Sequence, residues 1–597
     1  MGKEPEELQE RPGRPTDGRT DAADAADAAD AADAGDAADA ADAGDAADAS
    51  DATDVLIVGG GITGLSCALF LRHHGVRCVL VERHASTSVH PRAWGWYPRT
   101  LELLRSVGVE GAVLEAAAGY AEHRRQATVE SLTGREVKAV MLPAPGDLGA
   151  VTPSRQISLG QDRMEPIVRE AADRAGAVLR FGSELTSFER PEGPAGPVVA
   201  TVKDRDTGAE RRVRARWLVA ADGGRSPVRE TLGIRRVGRG TLQHQVSILF
   251  RADLTGPLAG RRFSICQIEN DELKGAVLGH DDTLRRGTLI LQYRPERGET
   301  PEDFTTGRSV ALVRSAVGDP DLDVDVIGVL PWELAALSAE RFRDGSVFLI
   351  GDAAHVVPPI GGYGANTGVH DAHNLAWKLA SVLRGEAGEA LLDSYDAERR
   401  PVAEATLEQA WLRLLVRSGR ADEEQRRATA DVLAVMLGHT YPSAAEPGAR
   451  LPRFRDPAEL AGEPGTRAPH VPVLLRDGGR EVPGSLLDVY GGDPAPVLVH
   501  GGGAGEHGGD DEPVWARAAA EAARRAGVRL RTAGFGAGLR DRSERGWHER
   551  YGVRADGAVL VRPDGFVAWR SAGVPADAAG ALTGALRRAL AREEGPA

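Results

Sequence analysis

Gly59, Gly61 and Gly64, with Gly60 between the first two, have the spacing GxGxxG, and an acid, Glu82, follows 18 positions after Gly64. The chemistry suited to this spacing is the holding of a dinucleotide by its pyrophosphate. The first glycine allows a tight turn, the second lets the backbone approach the phosphates, and the third lets helix and strand pack closely. The helix that follows offers unpaired N–H groups and the positive end of its dipole. An acid about 20 positions on is placed to hold a ribose hydroxyl. A second stretch, "GDAAHVVPPIGGYGANTGVHDAHNLAWKLA" from Gly351 to Ala380, is rich in turn residues. Pro358 and Pro359 stiffen it and remove N–H donors, as suits a wall laid against a flat ring. Gly361, Gly362 and Gly364 let the backbone come close.

The flanking elements fit these tasks. Val55 to Val58 reads as a strand, Leu65, Ala68, Leu69 and Leu71 continue with helical spacing, and Cys78 to Val81 reads as a second strand ending at Glu82. Strand, glycine turn, helix, strand and acid together make the fingerprint specific, although it does not separate NAD from FAD. A strand from Trp217 to Ala221 runs into Asp222-Gly223, with Ser226 and Arg229 entering a helix, and a strand from Val347 to Ile350 runs into Gly351-Asp352. Beyond that loop Val369, Ala372, Ala376, Leu379 and Leu383 give one apolar helix face, closed by Gly385.

GxGxxG, then Asp222-Gly223, then Gly351-Asp352, in this order, resemble the class A flavoprotein aromatic hydroxylases, a family that includes p-hydroxybenzoate and phenol hydroxylases. The resemblance covers residues 55 to about 405, including "DAERRPVAEA". It implies FAD as cofactor, with Gly59, Gly60, Gly61, Gly64, Glu82, Arg83, Gln161, Asp222, Gly351, Asp352, Pro358, Gly364, Ala365 and Asn366 around it. Asp352 would accept a bond from a ribityl hydroxyl, Gln161 would lie near the pyrophosphate, and Ala365 and Asn366 would offer main-chain N–H groups to the pyrimidine edge of isoalloxazine. Arg92 matches the family's flavin-side arginine, between cofactor and catalytic cavity, and is the candidate catalytic residue. Trp94 and Trp96 are read equally as pocket or core residues. His355, His370 and His373 are read as polar packing, since no metal-ligand set surrounds them.

The implied reaction consumes NADPH or NADH and O2: the nicotinamide reduces FAD, O2 adds at flavin C4a, and the hydroperoxide gives one oxygen to an electron-rich ring carbon. In that family the reductant visits transiently, without a Rossmann domain of its own. The "HPRAWGWYPRTLELLRSVGV" segment and the extra C-terminal region are most similar to actinomycete polyketide hydroxylases, which implies a polycyclic aromatic substrate. A simple phenol, Baeyer-Villiger or antibiotic-modifying chemistry, and a redox-silent binding protein of the same fold stay open as alternatives.

The expected fold class is α/β: a Rossmann-like FAD-binding domain (55–235 and 341–410) interleaved with a β-sheet substrate domain (236–340, with 130–155 joining its sheet). A helical linker region (411–465) and a thioredoxin-like C-terminal domain (466–597) follow, the latter on a resemblance carried by "GTRAPHVPV" and "VLVRPDGFVAWR". No cysteine follows Cys266, so thiol redox chemistry is excluded from that domain. The three cysteines fit a reducing, cytoplasmic setting.

Residues 1–54 carry Asp at every third position from Asp21 to Asp54, a period that covers every helix face and leaves none to bury, so a disordered arm is expected. This arm holds 17 acids against four bases, −13 of the formal −15. The remaining near-neutral body argues against a nucleic-acid partner. No apolar stretch reaches the roughly 18 to 20 residues of a membrane span. The partner expected is a small aromatic molecule, and the expected state a monomer or homodimer.

Overall fold

The computed structural model describes residues 52–141, 148–441, 454–477, 479–501, 513–536 and 538–592. The expected arm lies outside them except at its end, where the first strand is Ala52–Val58 rather than a strand from Val55. Thr53 Oγ1 donates to the Arg77 carbonyl at 3.1 Å and Asp54 pairs with Arg77 at 2.9 Å. These contacts and pairing with Arg214 and Ala215 draw residues 52–54 into the sheet.

That sheet runs in the order Arg343–Asp344, Val347–Leu349, Glu210–Ala220, Ala52–Val58, Cys78–Glu82, Val178–Phe181, with Ser183–Glu189 and Val198–Asp204 extending it off the 210–220 strand. Pairings among the four middle strands are parallel. Their apolar runs are continuous because both faces are covered, as parallel sheets require. One covering helix is Gly364–Leu383. The expected apolar face is in the core, and every residue from Asn366 to Val382 is buried, so the other faces are covered as well. The helix is enclosed on all sides, and its polar residues meet partners from the C-terminal domain.

The substrate sheet has eight strands, in the order His355–Val356, Asp325–Ala339, Arg236–Arg251, Arg286–Tyr293, Lys274–His280, Phe263–Glu269, Arg125–Val129, Glu136–Met141. Its outer face packs Val246, Ile248, Phe250, Leu278 and Leu289 against Val313 and Ala316 of the helix Thr306–Val317. The segment expected at 130–155 enters this sheet earlier, at Arg125. Residues 142–147 lie outside the described residues. Beyond them the chain has left the sheet, since Thr152 Oγ1 donates to Glu102 Oε1 at 2.6 Å. The strand His355–Val356, three residues past Asp352, pairs with Leu337 and Ser338, so the Gly351-Asp352 loop is stitched directly to the sheet.

The helix Asp393–Arg417 runs through the expected boundary at 410, because its apolar residues continue as far as Leu415. Helices Glu423–Ala428 and Val432–Leu437 follow. The C-terminal domain has the thioredoxin-like strand order Arg531–Gly534, Val497–His500, Ala558–Val561, Val567–Ser571, the first pair parallel and the others antiparallel. Helices Val514–Ala526 and Ala578–Ala589 cover one face through Trp515, Ala522, Leu582 and Leu586.

A buried ionic network joins this domain to the first. Arg562 meets Glu398 at 2.6 Å and Asp564, and Lys378 meets Glu398 at 2.7 Å. Nearby, Arg467 and Arg99 both pair with Glu102. Burial alone would raise the Glu398 carboxyl, but Arg562 and Lys378 more than offset this and hold it far below its usual range. Burial pushes the Lys378 ammonium down to about 8, with Glu398 opposing.

Candidate active site

The glycine turn is built by close approach. Gly59 has φ +109°, and a Cβ there would lie 2.2 Å from the Ala221 carbonyl oxygen; one at Gly64 would lie 2.0 Å from the Gly59 oxygen. Glu82, expected at the ribose, accepts the Gly60 N–H at 2.6 Å and the His84 N–H at 2.8 Å. Its carboxylate therefore locks the turn and the strand end together. The N–H of Ile62 donates to Glu165 Oε1 at 3.0 Å, whereas those of Thr63 and Gly64 have no acceptor among the described residues.

Glu165 is a residue that the spacing did not announce. Besides Ile62, it accepts from Gln161 Nε2 at 2.6 Å and from the Ser88 N–H at 3.1 Å. Gln161 thus acts here on Glu165, one helical turn away on the same face. Burial raises the Glu165 carboxyl, against these bonds and the charge of Arg92. Arg83 is exposed beside Glu82.

Asp222, expected beside the cofactor, also forms a turn. Its Oδ1 accepts from Ser226 Oγ at 2.6 Å and its Oδ2 from the Val228 N–H at 3.1 Å. The short helix so capped carries buried Arg229, whose guanidinium donates to the Gly224 and Ala353 carbonyls, both at 3.1 Å. The Asp222-Gly223 motif therefore holds the Gly351-Asp352 loop in place.

At that loop Gly351 has φ +58°, and a Cβ would lie 2.7 Å from Thr63 Oγ1, so the loop presses on the start of the helix Ile62–His73. Asp352 is exposed and has no hydrogen-bond partner among the described residues. It nevertheless stands among protein walls: desolvation raises its carboxyl, opposed by His355 and Arg92. Exposed surface here means open cleft above the carboxylate, not bulk solvent.

Behind the loop lies a buried triad. His355 Nε2 is 2.6 Å from Asp371 Oδ2, and Arg399 Nε is 2.7 Å from Asp371 Oδ1, all with side chains fully excluded from solvent. The His355 ring serves Asp371, and among the described residues no group of three or more His, Cys, Asp and Glu could hold a metal. His370 and His373 are buried, and burial drives both imidazoles far below their usual range, so they pack as neutral rings.

The wall loop ends at the long helix. Pro358 is buried, Pro359 is exposed, and Gly361 and Gly362 have φ of +93° and +66°. Tyr97 Oη donates to the Gly361 carbonyl at 2.5 Å. The Asn366 amide is fully used: it accepts from the Tyr97 N–H at 3.0 Å and Thr100 Oγ1 at 2.6 Å, and donates to the Gly95 and Gly362 carbonyls at 3.0 and 2.9 Å. The main-chain N–H groups of Gly364, Ala365 and Asn366 have no acceptor among the described residues. Arg92 is exposed, without a bonded partner, yet its charge is felt by Asp352, Glu165 and His90.

Two sets of open N–H donors at helix starts, an unpaired carboxylate between them and an unpaired arginine fit a flavin dinucleotide. The sequence matches a family model described as FAD binding domain over residues 52–410, and one described as aromatic-ring hydroxylase, C-terminal, over 461–592. The chain belongs to the FAD-dependent aromatic-ring hydroxylases. This hydroxylase is 43% identical to tetracenomycin A2 monooxygenase-dioxygenase of Streptomyces glaucescens, over 91% of its own length and 97% of the relative's. It is 40% identical to an aklavinone 12-hydroxylase of Streptomyces purpurascens, over 90% and 99%. Among solved structures, aklavinone-11 hydroxylase in complex with FAD and aklavinone matches with a TM-score of 0.79 at 38% identity, covering 90% of this chain and 99% of that one. The hydroxylase is a monooxygenase that uses FAD, O2 and a reduced nicotinamide.

Strand register settles which sheet residues of the hydroxylase face the Arg92 loop. A Cβ at Gly279 would meet Trp94 at 3.2 Å and one at Gly328 would meet His90 at 3.8 Å, so both glycines lie on the inner face. Residues opposite one another in a ladder share a face. Gly328, Leu330 and Trp332 oppose Leu249, Ser247 and Gln245, while Thr288 and Ile290 oppose Gly279 and Val277. Trp94 is half-buried against this face, whereas Trp96 is core, its Nε1 bonded to the Leu159 carbonyl at 2.9 Å. Among the described residues no helix is long and apolar enough to cross a membrane.

Proposed function

We propose that this hydroxylase inserts one oxygen atom of O2 into a planar, fused-ring aromatic polyketide at the expense of NADPH or NADH. The observation that carries the reading is the inner sheet face: Val277, Ile290, Leu330 and Trp332 are apolar, half-buried and turned toward the loop of Arg92. An apolar wall left uncovered inside a fold is a wall for an apolar guest. Relatives named for tetracenomycin and aklavinone support the same substrate class.

FAD held here would supply the redox chemistry, hydride acceptance from the nicotinamide and activation of O2, with one oxygen atom going to the ring and the other to water. The chain's own groups do the rest. Thr63 and Gly64 offer N–H donors to the pyrophosphate, and Asp352 offers an acceptor to the ribityl chain. The N–H groups of Gly364 to Asn366, with the helix dipole behind them, stabilise negative charge at the pyrimidine edge by about 1 to 3 kcal/mol. Pro358 and Pro359 wall the ring, and Arg92 supplies positive charge on the cavity side. The sheet roof keeps water from the reacting centre.

We infer further that the protein works in the cytoplasm as a monomer or homodimer, without a nucleic-acid or membrane partner; light scattering of the purified protein reads the oligomeric state. The test of the main reading is turnover with NADPH under 18O2 on a panel of anthraquinones and single-ring phenols. A fused-ring product heavier by one 18O atom is expected. Labelling confined to single-ring phenols overturns the polyketide assignment.

A further inference from the structure

Trp332 is set apart from the other apolar residues of the inner face. Its Nε1 donates to Ser247 Oγ at 2.9 Å across the ladder, which fixes the orientation of the indole on that face. The bond joins two neighbouring strands, and Trp332 sits diagonally across from Ser247, whose direct partner is Leu330. Four residues before Trp332, Gly328 rests beside His90; five and six residues after it, Leu337 and Ser338 pair with Val356 and His355, the strand that follows Asp352. The indole therefore lies on the span of strand between the Arg92 loop and the flavin-side loop.

Leu330 neighbours it along its own strand and Gln245 and Ser247 on the next, while Ile290 and Val277 continue the same face on the two strands beyond. No Lys, Arg, Asp or Glu occurs among the inner-face residues from 245 to 249 or at 277, 279, 288, 290, 328, 330 and 332. The stretch of wall around Trp332, with no charge and one large aromatic surface, binds by area and by ring stacking. Positive charge lies only at the wall's far end, where Arg286 reaches the Val89 carbonyl beside the Arg92 loop and pairs with Asp162.

We infer that Trp332 is the specificity-determining platform on which an uncharged fused-ring substrate lies, and that Ser247 is its positioning residue. This rests on the polyketide reading above and deepens it. The indole N–H is already used by Ser247, so the ring presents its face rather than a donor. A guest with several fused rings covers more of that face than a single ring does, and so gains more from it.

The experiment titrates the oxidised, FAD-loaded protein with 1,8-dihydroxyanthraquinone and with 4-hydroxybenzoate, following the flavin difference spectrum without turnover. Wild-type protein is expected to bind the anthraquinone and to bind the benzoate far more weakly. Trp332→Ala should weaken anthraquinone binding by about tenfold or more, as loss of one large stacked surface does, with the benzoate unaffected. Trp332→Phe should restore most of the loss, and Ser247→Ala should give a smaller loss with an altered tryptophan emission. FAD content and melting temperature report whether each variant is folded. If the wild type binds anthraquinone and the Trp332 variants bind it equally well, the platform is refuted while the proposed function stands. If the FAD-loaded wild type binds no fused-ring compound, the polyketide reading itself fails. Should Trp332→Ala not hold FAD, Trp332→Phe and Ser247→Ala decide, and unchanged affinity and emission in Ser247→Ala overturns the positioning role.

Discussion

Asp371 Oδ2 accepts from His355 Nε2 at 2.6 Å and from the Gly351 N–H at 3.1 Å, so one buried oxygen holds both ends of the loop that presents Asp352. Its other oxygen takes Arg399, which in turn donates to the Thr367 carbonyl and to Tyr441. Burial would raise this carboxyl, but His355 and Arg399 more than offset it and hold it ionised. Asp371→Asn leaves Arg399 buried beside a neutral group, a change that costs about 3 to 5 kcal/mol. A clear fall in melting temperature is expected together with reduced FAD content. A variant that melts and binds FAD like wild type would show that the triad does not set the loop.

Asp352 is the opposite case, since it bonds to nothing among the described residues. Asp352→Ala should leave the melting temperature of the FAD-free protein unchanged or slightly raised, because a desolvated carboxylate is removed. Its FAD affinity should fall by about 1.5 to 3 kcal/mol, the worth of a hydrogen bond to a charged group. Recovery of flavin fluorescence on dilution reads the affinity. Wild-type affinity in this variant would remove Asp352 from the site.

The link between domains is ionic and buried. Arg562→Ala strands Glu398 and Asp564 without their main counter-charge, and a loss of about 3 to 5 kcal/mol is expected. Calorimetry should show the melting temperature fall, with the single transition broadening or splitting as the C-terminal domain is uncoupled. A melt identical to wild type would mean that the apolar contacts alone hold the domains together.

What the sequence made legible was contiguous. The glycine turn, its strand and its helix follow one another within 31 residues from Asp54 to His84, so local spacing carried the signal. Glu165, Asp371 and Arg399 were not legible because their partners lie far along the chain: Ile62 is 103 positions from Glu165, and Asp371 is 28 from Arg399. In sequence each is an ordinary charged residue within a helix. The turn-forming task of Asp222 was hidden for a related reason. An acid at the end of a strand looks the same whether or not it also accepts from a serine four residues on. The partners of the polar side of the helix Gly364–Leu383 were hidden because part of the cover comes from the C-terminal domain, almost 200 residues downstream, as with Asn374 and Asp564.

That covered helix leads to a prediction about pH. His439 is buried among Arg99, His370, His373, Asp564 and Tyr441, around a cavity of about 10 Å³. Neither of its ring nitrogens has a hydrogen-bond partner. Burial, and then the charges of Arg399 and Arg99, push its pKa down to about 3 from an ordinary 6.5. The folded protein therefore keeps His439 neutral while the unfolded chain takes up a proton as soon as pH falls below about 6.5. The stability it contributes is fully present above 6.5 and is lost as pH falls toward 3, at up to about 1.4 kcal/mol per pH unit. The depressed carboxylates, Glu398, Glu102 and Asp371, begin to weaken the fold only below about 4.5, where unfolded carboxylates start to protonate. Between pH 6.5 and 4.5 the raised carboxyls of Glu165 and Asp352 take up protons first in the folded protein and oppose the loss, which is supplied by the protons that the buried histidines bind on unfolding. His439→Gln removes one of those protons, so the slope of stability against pH in that window should become shallower by about 1.4 kcal/mol per unit. Urea midpoints at pH 7, 6 and 5 measure it, and parallel lines for the two proteins would show that His439 is already protonated in the fold.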